Sequence, residues 1–181
     1  AIYSLPNKQI SNGIVDTFIH TMEQYLTINN KTYLMSRFSE GILSTLIKIS
    51  PELLKEKRDY DTCANFMICA TMGLNGFVAM GVVQDWATHM IGHELTALCG
   101  LDHGETLAIV FPGMMRVMRK EKREMILLYA RNVWHIDEKN KKKAIDMVIK
   151  KTEDFFISLG KKIKLSDYGI KEDVIDTIVT R

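Results

Sequence analysis

Apolar side chains recur along most of this chain at intervals of three and four residues, the spacing that puts them on one face of an α-helix. In the first such stretch the stripe is Ile10, Ile14, Phe18, Met22 and Tyr25. Pro6 suits a first helical turn, so a helix is expected from there to about Thr27. A second is expected over 31–49, stopping before Pro51, because a proline disfavours helical backbone in the residue before it. KEKRDYD, 55–61, reads as a solvated charged turn. After it comes CANFMICATMGLNGFVAMGVV, 63–83, which carries no charge. Its length is about right for a bilayer, but Asn65, Gly73, Asn75, Gly76 and Gly81 argue against a span. A buried central helix ending near Gly81 is expected instead, since an all-round apolar helix belongs in the middle of a helical domain.

Asp85 can cap the next helix, which is expected to run to about Cys99 and stop at Gly100. Another starts near Gly104 and continues past Pro112 to Arg119, with a kink at the proline. Further helices are expected over 121–135, from Asp137 to Gly160, and over 171–179. No stretch shows the two-residue alternation of a half-buried strand. There is no internal repeat and no low-complexity linker. The pattern therefore predicts one all-α domain, 1–181, of about seven or eight helices.

Composition narrows the partners. The chain has 181 residues, enough for one real core. It is 46% hydrophobic and 25% charged, as soluble domains are. Eleven methionines and only three prolines favour helix over sheet. A net charge of +2 gives no argument for nucleic acid or a membrane. The lysine runs at 139–143 and 161–164 sit at helix ends among acids and read as solvated faces. Cys63, Cys69 and Cys99 are odd in number and lie in apolar surroundings, which suits reduced thiols in the cytoplasm. The first ten residues lack both an initiator methionine and a signal-peptide pattern. A chain that begins mid-protein is therefore expected.

Three of the five histidines, His89, His93 and His103, crowd into DWATHMIGHELTALCGLDHG, 85–104. His89 and His93 are four apart and share a helix face. A turn at Gly100 can bring His103 back beside them. Far upstream Asp16 and His20 form another pair four apart, among the apolar Val15, Phe18, Ile19 and Met22. Ionisable pairs on such a face need partners, and a transition metal held between the two helices would supply them. Spacing alone leaves the alternative open, because such pairs also arise as surface hydrogen bonds or by chance. His135, beside Trp134, reads as a helix-end histidine.

Two of these stretches, GIVDTFIHTMEQYLT and DWATHMIGHELTALCGLDHGETLAIVFP, together resemble the iron-containing alcohol dehydrogenase family. The likeness is to its butanol dehydrogenase and broad-specificity aldehyde reductase branch. LSDYGI, 165–170, resembles the same branch, and the resemblance covers nearly the whole chain. It implies a two-domain subunit with NAD(P) on an N-terminal α/β domain, a divalent metal on a helical C-terminal domain, and an active site in the cleft between. It nominates Asp16, His20, His89 and His103 as metal ligands. It leaves His93 off the metal, near the nicotinamide and substrate, either as a proton relay or as a residue lining the cleft. Met90, Phe77 and Trp86 are candidates for an apolar substrate wall, although core packing explains Phe77 better.

On that resemblance the metal, Fe(II) or Zn(II), polarises a small alcohol or aldehyde for hydride exchange with NAD(P). The chain lacks a glycine-rich dinucleotide fingerprint. The N-terminal dinucleotide-binding domain is accordingly expected to be absent from it, leaving this part inactive alone. A homodimer is the expected assembly. Two other readings stay open. One is a helical-bundle metallohydrolase, although the adjacent pair here, Asp102–His103, stands in the reverse of the His–Asp order such enzymes usually pair. The other is a non-catalytic interaction domain with structural histidines.

Overall fold

The computed structural model describes residues 2–28 and 31–180, and every regular element among them is helical. After a short 3-10 turn at Ile2–Ser4 come α1 (Asn7–Tyr25), α2 (Tyr33–Leu53), α3 (Tyr60–Leu74) and α4 (Ala87–Cys99). They are followed by α5 (His103–Val117), α6 (Arg123–Asn132), α7 (Lys141–Ser158) and, after a second 3-10 turn at Leu165–Tyr168, α8 (Asp173–Val179). The expectation of an all-α domain with about seven or eight helices holds among the described residues.

Helix α1 is the axis of the domain, with α2, α3, α4 and α5 all packed on it. Its stripe residues Ile10, Ile14, Phe18 and Met22 are fully buried, and Val15 and Ile19 join them. Aromatic packing surrounds the fully buried Phe18, whose ring lies 5.3 Å from Phe155, 5.7 Å from Phe156 and 6.5 Å from Tyr129. This cluster fastens α6 and α7 to α1, and a hydrogen bond of 2.9 Å between Tyr129 and Thr152 satisfies the buried hydroxyls. A buried polar knot ties α1, α2 and α6 together. Glu40 accepts from Tyr25 at 2.8 Å and Asn132 at 2.9 Å, and pairs with Arg37 at 2.5 Å.

Three expectations need correction. Helix α2 does not stop before Pro51 but runs through it to Leu53. Proline removes one backbone donor, the partner of the Ile47 carbonyl in a regular helix. The Ser50 hydroxyl donates to that carbonyl at 3.1 Å and keeps it satisfied. The uncharged stretch is not one buried helix either. Helix α3 ends at Leu74, and Asn75 and Gly76 turn the chain, with Gly76 at a φ of +87°. Only Cys63, Phe66, Cys69 and Gly73 of α3 are buried, while Met67, Ile68 and Leu74 are exposed. Lys161, read as part of a solvated face, is buried and donates to Asn12 Oδ1. No helix among the described residues is long and apolar enough to cross a membrane.

Candidate metal centre

Asp16 and His20 lie one turn apart on α1, as their spacing requires, and the His20 Nε2 is 3.5 Å from Asp16 Oδ1. The other histidines come from helices whose ends the sequence marks clearly. Asp85 Oδ1 accepts from Ala87 N at 3.1 Å, just ahead of α4. Gly100, at a φ of +67°, ends that helix in the left-handed conformation that glycine adopts freely. Asp102 and Glu105 then form a capping box, so α5 begins at His103 itself.

Close packing carries the two histidine-bearing ends onto α1. A Cβ on Gly92 of α4 would stand 3.1 Å from Leu107 and 3.2 Å from Thr106 of α5. Gly104 sits against the Asn12 backbone more tightly still. Around it Asn12 donates to Asp102 at 2.9 Å, and Lys8 pairs with Asp102 at 2.8 Å and with Glu105 at 3.5 Å. Asp102 is thereby committed to capping and to α1. Its adjacency to His103 therefore lends no support to a metallohydrolase reading.

The result is a cluster drawn from three helices. His103 Nε2 lies 3.5 Å, and His89 Nε2 3.7 Å, from the same Asp16 Oδ1 that His20 approaches. Asp16, His89 and His103 each offer a donor atom, all within 4.8 Å of one another. His20 joins the group through Asp16 and through its ring, 4.2 Å from that of His89. Asp16 Oδ1 and His89 Nε2 are buried without a hydrogen-bond partner, so the 3.7 Å between them is a charge contact rather than a hydrogen bond.

Electrostatics follow from this crowding. Burial opposes charge on His89, yet the Asp16 and Glu23 carboxylates on either side raise its pKa to about 9. Burial holds His20 and His103 below the ordinary histidine value, with Asp16 opposing the shift in each. Burial also works against ionised Asp16, but the surrounding imidazoles win and lower its pKa. One carboxylate oxygen and several imidazole nitrogens facing a common point form a donor set suited to a first-row divalent cation.

The remaining candidates are distributed more widely. His93 is exposed on the solvent side, its ring 4.8 Å from His103 and 6.2 Å from His89. Trp86 packs edge-on against His20 at 5.4 Å and His89 at 5.2 Å, and so walls the cluster. Met90 is exposed one residue beyond His89. Phe77 packs on Phe38 at 4.9 Å, away from the cluster. His135 lies exposed just past the end of α6. Glu23 was missed by the sequence reading. It is buried, meets His89 Nδ1 through Oε2 and accepts from Thr88 N through Oε1. A hollow of about 720 Å³ lies elsewhere, between α2 and α7.

Residues 10–181 match the model of the Fe-containing alcohol dehydrogenase family, C-terminal. The NADPH-dependent aldehyde reductase YqhD of Escherichia coli is 49% identical over 179 residues, 99% of this chain and 46% of that protein. The NADH-dependent butanol dehydrogenase B of Clostridium acetobutylicum is 34% identical over 177 residues, 96% of this chain and 45% of that protein. A substrate- and cofactor-free structure of the E. coli YqhD superposes with a TM-score of 0.96 at 48% identity, covering 98% of this chain and 47% of that one. The chain spans about half the length of the curated relatives it matches.

Proposed function

The chain belongs to the Fe-containing alcohol dehydrogenase family, and on that footing we propose that it is the metal-holding part of an NAD(P)-dependent alcohol dehydrogenase or aldehyde reductase. One observation carries the reading: His20, His89 and His103 bring their Nε2 atoms from three helices to within 3.5–3.7 Å of one Asp16 oxygen. A buried carboxylate oxygen and a buried imidazole nitrogen left facing each other without hydrogen bonds are costly unless a ligand joins them. A divalent cation satisfies both, and the oxygen and nitrogen donors suit Fe(II) or Zn(II) alike. Asp16, His20, His89 and His103 would hold it. When bound, such a cation supplies Lewis-acid polarisation of an alcohol or aldehyde oxygen, while NAD(P) carries the hydride.

The chain's own residues prepare the place for this chemistry. Asp16 brings the negative charge that draws a cation in. Buried His89 and half-buried Trp86 close the inner side of the cluster to water. Asp16 and His103 are partly open, which leaves an approach for a small alcohol or aldehyde past Met90. His93, exposed beside His103, is placed to exchange a proton between the substrate oxygen and solvent and to border the nicotinamide.

The dinucleotide-binding domain is assigned to the N-terminal side, outside these residues, and the full-length enzyme is read as a homodimer. No role is assigned to nucleic acid or a membrane. Three free cysteines support a cytoplasmic setting.

The test is metal content per chain by elemental mass spectrometry, after anaerobic purification and loading with Fe(II) or Zn(II). Wild type is compared with His89→Ala and His103→Ala. Stoichiometric metal in the wild type, lost in both variants, is expected. A folded wild type that binds none overturns the reading and favours a non-catalytic helical domain.

A further inference from the structure

The imidazoles around Asp16 are not supported alike. His20 and His103 each have a buried Nδ1 with no hydrogen-bond partner, whereas the His89 Nδ1 meets a buried carboxylate, Glu23 Oε2. Glu23 stands three residues after His20 and seven after Asp16, so it shares their face of α1. It also serves a second structure. Helix α4 starts at Ala87 behind Trp86, which offers no side-chain cap. The first-turn N–H groups that a cap would satisfy belong to Thr88 and His89. Both point to Glu23: Thr88 N donates to Oε1, and His89 N donates to Oε2 at 3.3 Å. The Glu23 backbone carbonyl accepts from Asp85 N at 3.1 Å as well.

A carboxylate already accepting from two backbone N–H groups has only acceptor capacity to offer. The His89 Nδ1 that meets it must therefore carry the proton. With Nδ1 held in its protonated form, the proton a cation would displace is the one on Nε2, at the opposite edge of the ring, the edge turned to Asp16. We propose that Glu23 is a positioning residue. It caps α4 from the neighbouring helix, and in the same contact it fixes the orientation and tautomer that make His89 Nε2 a ligand. The inference rests on the metal reading above.

The substitution that isolates this role is Glu23→Gln. The amide keeps the shape, but its NH2 must face either Thr88 N–H or the His89 ring. Facing the ring, it turns Nδ1 into an acceptor and moves the proton to Nε2, where a ligand needs a lone pair. Zn(II) affinity of the full chain, measured by chelator competition, should fall about 10- to 100-fold. In the Zn(II)-saturated wild type, nitrogen-15 NMR should show a downfield, slowly exchanging His89 Nδ1 proton, and Glu23→Gln should lose it. Glu23→Asp keeps the anionic acceptor and should fall between the two in affinity. If Glu23→Gln fails to fold, Glu23→Asp carries the test, with weaker Zn(II) binding and a shifted Nδ1 signal expected. A Glu23 variant that melts lower but binds Zn(II) like wild type overturns the proposal, leaving Glu23 as a cap alone. A wild type that binds no Zn(II) overturns the metal reading, and the proposal falls with it.

Discussion

Alanine at Gly104 tests how closely α1 and α5 must meet for His103 to reach Asp16. The added Cβ would stand 2.8 Å from Asn12 Cα, 2.9 Å from Asn12 O and 3.0 Å from Asn12 Cβ. None of these atoms can swing aside as the end of a flexible side chain would. Asn12 is further held by its hydrogen bonds with Asp102 and Lys161. Ordinary contact begins near 3.4 Å, so the two backbones must part by roughly 0.6 Å. Forcing extra atoms into a filled contact costs about 1–3 kcal/mol. Alanine's helix propensity returns at most about 1 kcal/mol, and less in the first turn. A net loss of about 1–2 kcal/mol corresponds to a fall in Tm of roughly 2–8 °C for a chain of this size.

The same displacement acts on the proposed metal centre, because His103 precedes Gly104 directly. Its Nε2 now lies 3.5 Å from Asp16 Oδ1, and metal–ligand distances tolerate changes of only about 0.2 Å. Weaker Zn(II) binding should therefore accompany the lower Tm. Gly113→Ala is the internal control. It sits on the same helix with nothing within 4 Å of its would-be Cβ, so it should gain about 0.5–1 kcal/mol from propensity. Calorimetric melts with and without Zn(II) decide the matter. A Gly104→Ala variant that melts at or above wild type, with unchanged Zn(II) affinity, would refute the close-approach argument.

Metal removal gives a second expectation: with free Zn(II) at 100 times Kd, binding adds about 2.7 kcal/mol. A chelator should lower the Tm of wild type and leave that of His89→Ala unmoved. Tyr25→Phe should cost about 1–3 kcal/mol in denaturant unfolding, because Glu40 loses a buried donor, and should not change metal content. Acid should unfold the chain through its carboxylates. Thr62 N–H lowers the Asp59 pKa, Lys8 and then Asn12 lower that of Asp102, and Asn140 N–H and then Lys143 lower that of Glu138. At Asp85 burial opposes ionisation, but the Lys122 hydrogen bond outweighs it. Each of these four groups is more acidic folded than unfolded. Its contribution is thus complete above the ordinary carboxylate pKa of roughly 4 and is lost as pH falls through the lower folded value. A Tm that stays flat from pH 6 down to about 2 would contradict this.

What was legible in the sequence is what lies within one or two helical turns. Asp16 and His20 announce a shared face, Gly100 an ending, and Asp102 with Glu105 a beginning, because each rule joins residues at most four apart. The reading of Pro51 failed at that same range, since the compensating Ser50 hydroxyl was left out of the account. The uncharged stretch at 63–83 was misread for a different reason. An apolar helix was taken to imply burial on every side, but the Asn75–Gly76 turn divides the stretch and α3 keeps an exposed apolar face. Lys161 was misjudged because its partner, Asn12, is 149 residues away. The cluster of Asp16 and the histidines shows the same division. Its residue types could be read from the chain, but their meeting depends on Gly104 against Asn12 and on Glu23 reaching Thr88 across 65 residues. One local sign of that second contact was present. Glu23 is an acid on the apolar, Asp16–His20 face of α1, where a charge is tolerated only if another part of the chain supplies its donors. The N-terminus of α4, where Trp86 offers no side-chain acceptor to Thr88 and His89, supplies them.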